Sequence, residues 1–385
     1  MAARTEEPTG PAPGWRFATI GGVPVYIGKS WPVIALFIVY LYGPGLASDR
    51  PDLGLGAYAV AVVFAILLLL SVFAHEAAHA VVATWKGYRV NRVVADLWGG
   101  HTAYETVAAR PGASALVAIA GPAANALLAL LGWFALQVVP DGVPSYLVYA
   151  TFWTNAIVAA FNMLPGLPLD GGFLVESLVW RVTGSRESGL IAAGWCGRVV
   201  TGLVVFWLVG LPLLRGRAPD LFNIAFGLFI GSFMWMGATN AIRAGKGSRL
   251  LAGIRIDSVW RRAVSLPAGA SAAQALALRV AGPVGTAVVI EDDAHRAIGL
   301  LDDEALQAIP EQSRDNVPAS AVMRLQPEGW VVEAAPDQSI ASVVMVMQRL
   351  GVGAVPVRGP DGRIAGIVLA GDLEAALSGK RGTPA

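Results

Sequence analysis

The stretch SVFAHEAAHAVVATWKG, residues 71–87, places two histidines and a glutamate inside a hydrophobic run. His75, Glu76 and His79 follow the segment 56–74, which contains no charged side chain. Ionisable groups are costly at the depth of a lipid bilayer, so some partner must use or neutralise a cluster of this kind. The HExxH spacing places both histidines on one face of a helix, where their imidazoles can reach a single metal ion.

The residue types on this helix favour zinc as the metal. Two imidazoles and a carboxylate suit a tetrahedral zinc site and leave the fourth position for water, whose pKa falls to about 7. Glu76 adjoins the first histidine and can accept a proton from that water. Asp170 is the favoured third ligand because it lies in NMLPGLPLDGG, residues 162–172, whose prolines and glycines break a helix. Glu176 lies nearer the end of its run, where a solvated helix face is the usual explanation.

The composition is that of a chain embedded in a membrane. Hydrophobic residues make up 55% of it and charged residues only 14%, against about 25% in soluble domains. The net charge of +1 argues against nucleic acid as a partner. We therefore predict a polytopic α-helical membrane protein with six transmembrane helices, each needing about 20 residues. The predicted spans are 31–47, 56–86, 113–139, 146–180, 189–214 and 220–243.

Lysine and arginine positions predict how the spans are oriented. Basic residues concentrate before the first span, between the second and third, and after the fourth and sixth, which places both termini in the cytoplasm. Arg215 and Arg217 are exceptions to this alternation. Residues 1–15 are rich in proline, glycine and charge and are predicted to be a disordered tail, and no cleavable signal peptide is expected.

The segment 87–112 is predicted to be a short β hairpin associated with the membrane helices. Apolar and polar residues alternate along it, and the pair Gly99-Gly100 stands where a turn is expected. His101 follows that pair, and we interpret it as an ordinary polar loop residue rather than a metal ligand.

From about residue 250 the composition changes to that of a soluble α/β domain that repeats internally. GTAVVIEDDAHRAIGLLDDEAL, residues 285–306, matches GAVPVRGPDGRIAGIVLAGDL, residues 353–373, in its order of strand, turn, strand and short helix. Two copies about 68 residues apart indicate a paired module. The predicted domains are the tail (1–15), a six-span membrane domain (16–249) and a soluble pair (250–385) with copies at about 255–315 and 320–378.

Several motifs of the membrane domain resemble those of a known family. HEAAH in the second span, NMLPGLPLDGG two spans later, LWGG at 97–100 and GPAAN at 121–125 are similar to recurring features of the site-2 protease family of intramembrane zinc metalloproteases. The resemblance covers about residues 15–245. It implies a metalloendopeptidase that cleaves transmembrane segments.

The resemblance also implies a role for each matching residue. His75, His79 and Asp170 would bind one zinc ion per chain, and Glu76 would be the general base. Asn162 would lie near the metal and help to hold the substrate or the oxyanion.

Two further positions belong to the same resemblance. The hairpin at Gly99-Gly100 would pair with a locally unwound substrate, since an edge strand offers new partners to the freed backbone. For Asn125, in the GPAAN motif, the favoured interpretation is a hydrogen bond between helices.

The C-terminal repeat resembles a tandem pair of cystathionine-β-synthase (CBS) domains, mainly through GVGAVPV, DGRIAGIV and GDL in its second copy. Such pairs often bind an adenine nucleotide between their copies, and Asp372 matches a nucleotide-contacting position. Leu369 stands where a ribose-contacting serine or threonine is usual, and Ala305 replaces the aspartate in the first copy. A nucleotide-dependent regulatory module and a ligand-free dimerisation module therefore both stay open, and the resemblance implies a homodimer.

These features together predict a zinc-dependent intramembrane endopeptidase in a bacterial cell membrane, with a single-span, membrane-anchored regulatory protein as its substrate. One alternative is a CBS-regulated transporter or channel, in which the ionisable cluster is a buried polar network. Another is a catalytically inactive relative that binds membrane proteins. The intact metal triad and Glu76 favour the protease over both alternatives.

Overall fold

The computed structural model describes residues 14–20, 23–95, 101–105 and 110–378. The chain divides into two compact units, Met1–Gly245 and Lys246–Ala385. The first unit contains the hydrophobic runs, and the second contains the internal repeat.

Helices form most of the described part of the N-terminal unit. They are α1 (Trp31–Asp49), α2 (Gly56–Trp85), α3 (Pro111–Ala135), α4 (Val143–Asn162), α5 (Asp170–Thr183), α6 (Arg186–Val205), α7 (Leu211–Leu214) and α8 (Leu221–Ala252), of which residues up to Gly245 belong to this unit. π-Helical turns at Phe206–Gly210 join α6 to α7 in one continuous span. Among the described residues, five spans are long and apolar enough to cross a membrane, namely 31–49, 56–85, 111–135, 186–214 and 221–252.

The predicted fourth span consists of two helices, as its prolines and glycines indicated. α4 ends at Asn162 and α5 begins at Asp170, because Pro165 and Pro168 between them cannot continue a helical hydrogen-bond pattern. α4 has 20 residues, which gives it a length of about 30 Å. It is not one of the five apolar spans, and polar side chains such as Asn155 account for its lower hydropathy.

A four-stranded sheet accompanies the helices. Its strands are β1 (Gly14–Ile20), β2 (Val23–Gly28), β3 (Arg89–Ala95) and β4 (His101–Glu105), in that order, with β2 and β3 parallel. β3 and β4 pair in antiparallel fashion, with Val94 opposite His101, which confirms the predicted hairpin. The Gly99-Gly100 pair lies outside the described residues.

The first hairpin of this sheet was not predicted. β1 begins at Gly14, within the last two residues of the segment assigned to the tail, and residues 1–13 lie outside the described part of the chain. Phe17 of β1 stacks on Phe73 of α2 at a ring-centroid distance of 5.8 Å. The sheet therefore packs against the helix that carries the HEAAH motif, two residues from its first histidine.

The C-terminal unit confirms the predicted repeat of strands and helices. Its elements are β5 (Ala263–Pro267), α9 (Ala272–Ala281), β6 (Ala287–Glu291), β7 (Ala297–Leu301), α10 (Asp303–Gln307), β8 (Met323–Leu325), β9 (Val332–Glu333), α11 (Ala341–Leu350), β10 (Ala354–Arg358), β11 (Ile364–Leu369) and α12 (Ala370–Leu377). In each copy a parallel strand pair is joined through a helix and followed by an antiparallel hairpin and a second helix (β5–α9–β6–β7–α10 and β9–α11–β10–β11–α12). β8 pairs with β7 and so extends the sheet of the first copy.

Candidate metal centre

The candidate metal ligands come from α2 and α5. His75 and His79 lie one turn apart on α2, and Asp170 is the first residue of α5. His75 Nε2 lies 3.1 Å from Asp170 Oδ2, and His79 Nε2 lies 3.4 Å from Asp170 Oδ1. The two Nε2 atoms are 3.1 Å apart. The fold therefore brings the HEAAH and LDGG motifs into direct contact.

These separations fit a tetrahedral zinc site. Two ligand atoms that a zinc ion holds at about 2.0–2.1 Å in tetrahedral geometry lie about 3.3 Å from each other. Asp170 Oδ2 is buried and has no hydrogen-bond partner, although it faces the His75 ring. A carboxylate oxygen and two imidazole nitrogens that converge in this way without protons between them need a cation to offset their repulsion.

The remaining ring nitrogens are held so that the Nε2 atoms can serve as ligands. His75 Nδ1 lies 2.5 Å from the side-chain oxygen of Asn125, and His79 Nδ1 lies 2.7 Å from the backbone oxygen of Val117. Both Nδ1 atoms donate in these contacts, because each partner is an acceptor. Partners of this kind orient metal-binding histidines and fix their tautomer.

Glu76 and the ligands line one cavity of about 540 Å³. Glu76 is 4% exposed, and a carboxylate oxygen of Glu76 lies within 4.8 Å of a ring nitrogen of each histidine. Asn162, at the end of α4, lines the same cavity and is half-buried. The proposed base and the proposed substrate contact are therefore in the same chamber as the candidate ligands.

Gly121 of the GPAAN motif leaves the room that this centre needs. A Cβ atom at position 121 would lie 2.3 Å from His79 Nε2 and 2.5 Å from His75 Nε2. Those distances are far inside van der Waals contact, and the two nitrogens are the atoms that point toward the metal position. Any side chain at residue 121 would thus occupy the space between α3 and the metal ligands.

The glycines of LDGG have a similar role in placing Asp170. A Cβ atom on Gly172 would lie 2.2 Å from the backbone nitrogen of Leu167, and one on Gly171 would lie 2.4 Å from the backbone oxygen of Leu164. The first turn of α5 therefore packs directly on the backbone of the segment that precedes it. This close approach brings Asp170 to the start of the helix beside the histidines.

Two asparagines support the histidines on the side away from the metal position, namely Asn125 and Asn155, of which the sequence analysis missed Asn155. Asn125 donates to Asn155 across α3 and α4 at 2.7 Å, which confirms its interhelical bond, and Asn155 in turn contacts Ser71 of α2 at 3.0 Å. Asn125 and Asn155 are each 1% exposed. The available signal was the presence of asparagine inside hydrophobic spans, where an amide is retained only if it has partners.

Glu176 is buried, so the expectation of a solvated helix face is wrong. It is 3% exposed and accepts a hydrogen bond of 2.8 Å from Arg186 Nε, and both residues line the cavity. α6 covers it closely, since a Cβ atom on Gly189 would lie 2.4 Å from the Glu176 backbone oxygen. The position of Glu176 within its own span could not reveal this burial, because the residues that bury it belong to a separate helix, α6.

The predicted nucleotide contact in the C-terminal unit already has a partner. Arg261 donates two hydrogen bonds of 2.7 Å to the Asp372 carboxylate. In the first copy, Asp302 takes the place of Leu369, and the Arg324 guanidinium holds the pKa of the Asp302 carboxyl below its usual range. The two copies thus differ in charge at the positions where a nucleotide contact is expected.

Comparisons with known proteins identify the family of the chain. The sequence profile of peptidase family M50 matches residues 63–143 and 137–200, and the CBS domain profile matches residues 331–379. The chain is 30% identical over 358 residues to Rip3 of Mycobacterium tuberculosis, a protein named as a zinc metalloprotease, with 90% of this chain and 89% of the relative covered. It is 28% identical over 357 residues to sll0528 of Synechocystis, named in the same way, with 92% of each covered.

Among solved structures, the site-2 protease of Methanocaldococcus jannaschii is similar at 20% identity and a TM-score of 0.42, over 59% of this chain and 94% of that one. The helices, the HEAAH motif and the sequence relatives define a multi-pass membrane zinc metalloprotease. The chain belongs to the site-2 protease family, peptidase family M50, and carries a C-terminal CBS domain.

Proposed function

We propose that this protein is an intramembrane endopeptidase that cleaves transmembrane segments of single-span, membrane-anchored regulatory proteins. The observation that carries the proposal is the contact of Asp170 with His75 and His79 at 3.1 and 3.4 Å, in a cavity that also contains Glu76. This arrangement supplies three ligands and one base between membrane-spanning helices.

Each residue of the centre has one role in the proposed reaction. His75, His79 and Asp170 would hold a zinc ion, one per chain, and the ion would supply the Lewis acidity that activates water and polarises a peptide carbonyl. Glu76 accepts a proton from the attacking water and returns it to the leaving amide nitrogen. Asn162 offers an amide N–H to the oxyanion as negative charge develops on the carbonyl oxygen.

The substrate must be unwound before it can be cleaved, because a helical peptide carbonyl is already hydrogen-bonded within its own helix. β4 is an edge strand of the sheet and packs near α2, so its free edge can pair with an extended substrate by strand addition. The Gly99-Gly100 pair, which precedes β4 in the sequence, belongs to this proposed docking site. The edge would stabilise the extended form that the centre needs.

We propose a bacterial cell membrane with both chain termini and the C-terminal unit in the cytoplasm. The distribution of basic residues supports this orientation, and two of the related proteins come from bacteria. His79 lies close to the C-terminal end of α2, and Asp170 begins α5. Water and product exchange would therefore take place on the cytoplasmic side.

The test compares purified wild type with Glu76→Gln on a panel of single-span membrane proteins, with zinc content determined for each. The expected result is cleavage by wild type only, with one zinc per chain in both proteins, because glutamine cannot accept the proton. Zinc-loaded wild type that cleaves nothing would favour the inactive relative. The absence of zinc from both proteins would overturn the proposal and favour the transporter.

For the C-terminal unit we propose a homodimeric regulatory module that binds an adenine nucleotide. The repeated fold supports this proposal, because such pairs often hold a nucleotide in the cleft between their copies. Asp372 can contact a ribose only when Arg261 releases its carboxylate. When full-length protein is titrated with ATP, the Asp372→Asn variant should bind ATP more weakly than wild type. Equal affinity in both proteins would remove Asp372 from the site, and no binding to either would leave dimerisation, checked by light scattering, as the role of the unit.

A further inference from the structure

A continuous chain of buried side chains leads away from His75 into the helical unit. His75 Nδ1 contacts Asn125, Asn125 contacts Asn155, and Asn155 contacts both Ser71 Oγ at 3.0 Å and the backbone oxygen of Thr151 at 2.9 Å. None of the four side chains in the chain is more than 8% exposed. This row of hydrogen-bonded side chains joins α2, α3 and α4.

The direction of every hydrogen bond in this chain follows from its far end. The Thr151 carbonyl can only accept, so the Asn155 atom that faces it must be the amide nitrogen Nδ2. The Ser71 hydroxyl donates to the Leu67 carbonyl at 3.0 Å, which leaves its oxygen to accept from the same Nδ2. Two backbone carbonyls of membrane-spanning helices therefore set the orientation of the Asn155 amide.

The orientation of Asn155 determines the next two members in turn. Its Oδ1 faces Asn125, so Asn125 must present Nδ2 to it and Oδ1 to the other side. Asn125 Oδ1 faces His75 Nδ1, which must then carry the proton. A neutral imidazole with its proton on Nδ1 has a free lone pair on Nε2, the atom that points at Asp170.

We propose that Asn155 is a positioning residue that selects the metal-binding tautomer of His75 through Asn125. The inference rests on the proposed role of His75 as a zinc ligand. Asn155 lines the same cavity as the ligands, but its hydrogen bonds go to Asn125, Ser71 and Thr151, and it acts by keeping the Asn125 amide in one of its two orientations. The reverse orientation would direct Asn125 Nδ2 at His75 and move the ring proton to Nε2, where it blocks coordination.

His79 provides an internal control within the same helix. Its Nδ1 donates directly to the Val117 backbone oxygen at 2.7 Å, so a main-chain acceptor sets its tautomer without any relay. Changes at position 155 should therefore alter His75 and leave His79 unchanged. The polypeptide has four histidines in all, which keeps the imidazole signals few enough to assign.

The first measurement is the tautomer of each histidine in zinc-free, membrane-reconstituted wild type, by solid-state NMR of isotope-labelled imidazoles. We expect Nδ1 of His75 and Nδ1 of His79 each to carry a proton, whether or not the Nε2 atom beside Asp170 is protonated as well. A His75 ring whose Nδ1 carries no proton in wild type would overturn the inference without any variant. The spectrum needs no substrate, so it is independent of whether proteolysis is observed.

The second measurement compares Asn155→Leu with Asn155→Asp for tautomer and for zinc affinity. Leucine removes the acceptor for Asn125, so the His75 signal should split between tautomers and zinc affinity should fall by about 10- to 100-fold. The aspartic acid, held protonated by burial, keeps an acceptor facing Asn125 and an O–H donor facing the Thr151 carbonyl, so we expect the wild-type tautomer and zinc affinity within a few-fold of wild type.

These variants separate the relay from a purely structural role. If Asn155 only holds helices together, leucine and aspartate should both lower thermal stability while the His75 tautomer stays as in wild type, and that result would overturn the proposal. An Asn155→Asp protein that loses as much zinc affinity as Asn155→Leu would also contradict it. Ser71→Ala is the matched mild change, since Thr151 still orients Asn155, and it should leave the tautomer unchanged.

Discussion

The two units of this protein differ in the number of polar side chains that they bury. Among the described residues, the C-terminal unit has one buried polar side chain, Thr286, whereas the buried polar residues of the N-terminal unit are Ser71, His75, Glu76, His79, Asn125, Asn155, Glu176, Ser177 and Thr201. Large apolar residues such as Leu203 and Trp207 remain exposed on the helices, and equivalents such as Ile290 and Val355 form the C-terminal core. The surrounding solvent explains the difference, because lipid removes the hydrophobic driving force between helices while water supplies it.

The two units should therefore be sensitive to different substitutions. In the helical unit, many large apolar residues are exposed and contribute little to its specific structure, so the buried polar residues and the closely packed glycines determine whether the centre forms. In the C-terminal unit, ion pairs such as Arg296–Asp292 lie on the surface, and the apolar core carries the stability. Substitutions of the same chemical type should therefore have opposite consequences in the two units.

The largest effect is expected from the smallest substitution, Gly121→Ala. The added methyl group would overlap the Nε2 atoms of both histidines, at 2.3 and 2.5 Å, so zinc content should fall from one per chain to nearly none and proteolysis should be lost. Zinc analysis of the purified protein measures this. Gly112→Ala in the same helix is the matched control, since a Cβ atom at Gly112 meets nothing within 4 Å. Normal zinc content in Gly121→Ala would show that the metal position lies elsewhere.

The second prediction contrasts a core residue with a lipid-facing one. Ile290→Ala should destabilise the C-terminal unit by about 2 to 5 kcal/mol, because Ile290 is fully buried in its core. Leu203→Ala, at a residue that is 62% exposed on α6, should change the stability of the helical unit by less than about 0.5 kcal/mol. Hydrogen exchange of the full-length protein reports each unit separately. Equal effects at both positions would contradict the expectation that the two units respond differently to the loss of an apolar side chain.

The third prediction concerns the ion pairs of the two units. Arg186→Leu leaves the buried Glu176 carboxylate without its partner, so the helical unit should lose about 1 to 3 kcal/mol, less than for a fully buried pair because Arg186 itself is 42% exposed. Arg296→Leu removes an exposed pair of the C-terminal unit and should have no measurable effect. The same hydrogen-exchange experiment measures both. An Arg186→Leu protein as stable as wild type would show that the buried Glu176 carboxylate does not depend on Arg186.

Much of this arrangement could be predicted from local sequence. HEAAH has a helical spacing that puts two histidines on one face, and the prolines of NMLPGLPLDGG stop a helix just before Asp170. The alternation in 87–112 indicated β3 and β4, and the internal repeat indicated two similar α/β copies. Each of these signals lies within a few neighbouring residues, where backbone geometry and periodicity act directly. The first hairpin was missed because its short strands carry a weaker pattern within a segment rich in glycine and proline.

Local sequence patterns therefore encode the class of the protein, its candidate ligands and base, and its two kinds of domain. Only the packing of distant helices shows that Gly121 lies over the ligand nitrogens, that α6 covers Glu176, and that Asn155 connects to His75 through Asn125. These contacts join helices that are distant in the chain. No periodicity or spacing encodes which helix faces which, because that choice depends on packing and hydrogen-bond satisfaction over the whole unit.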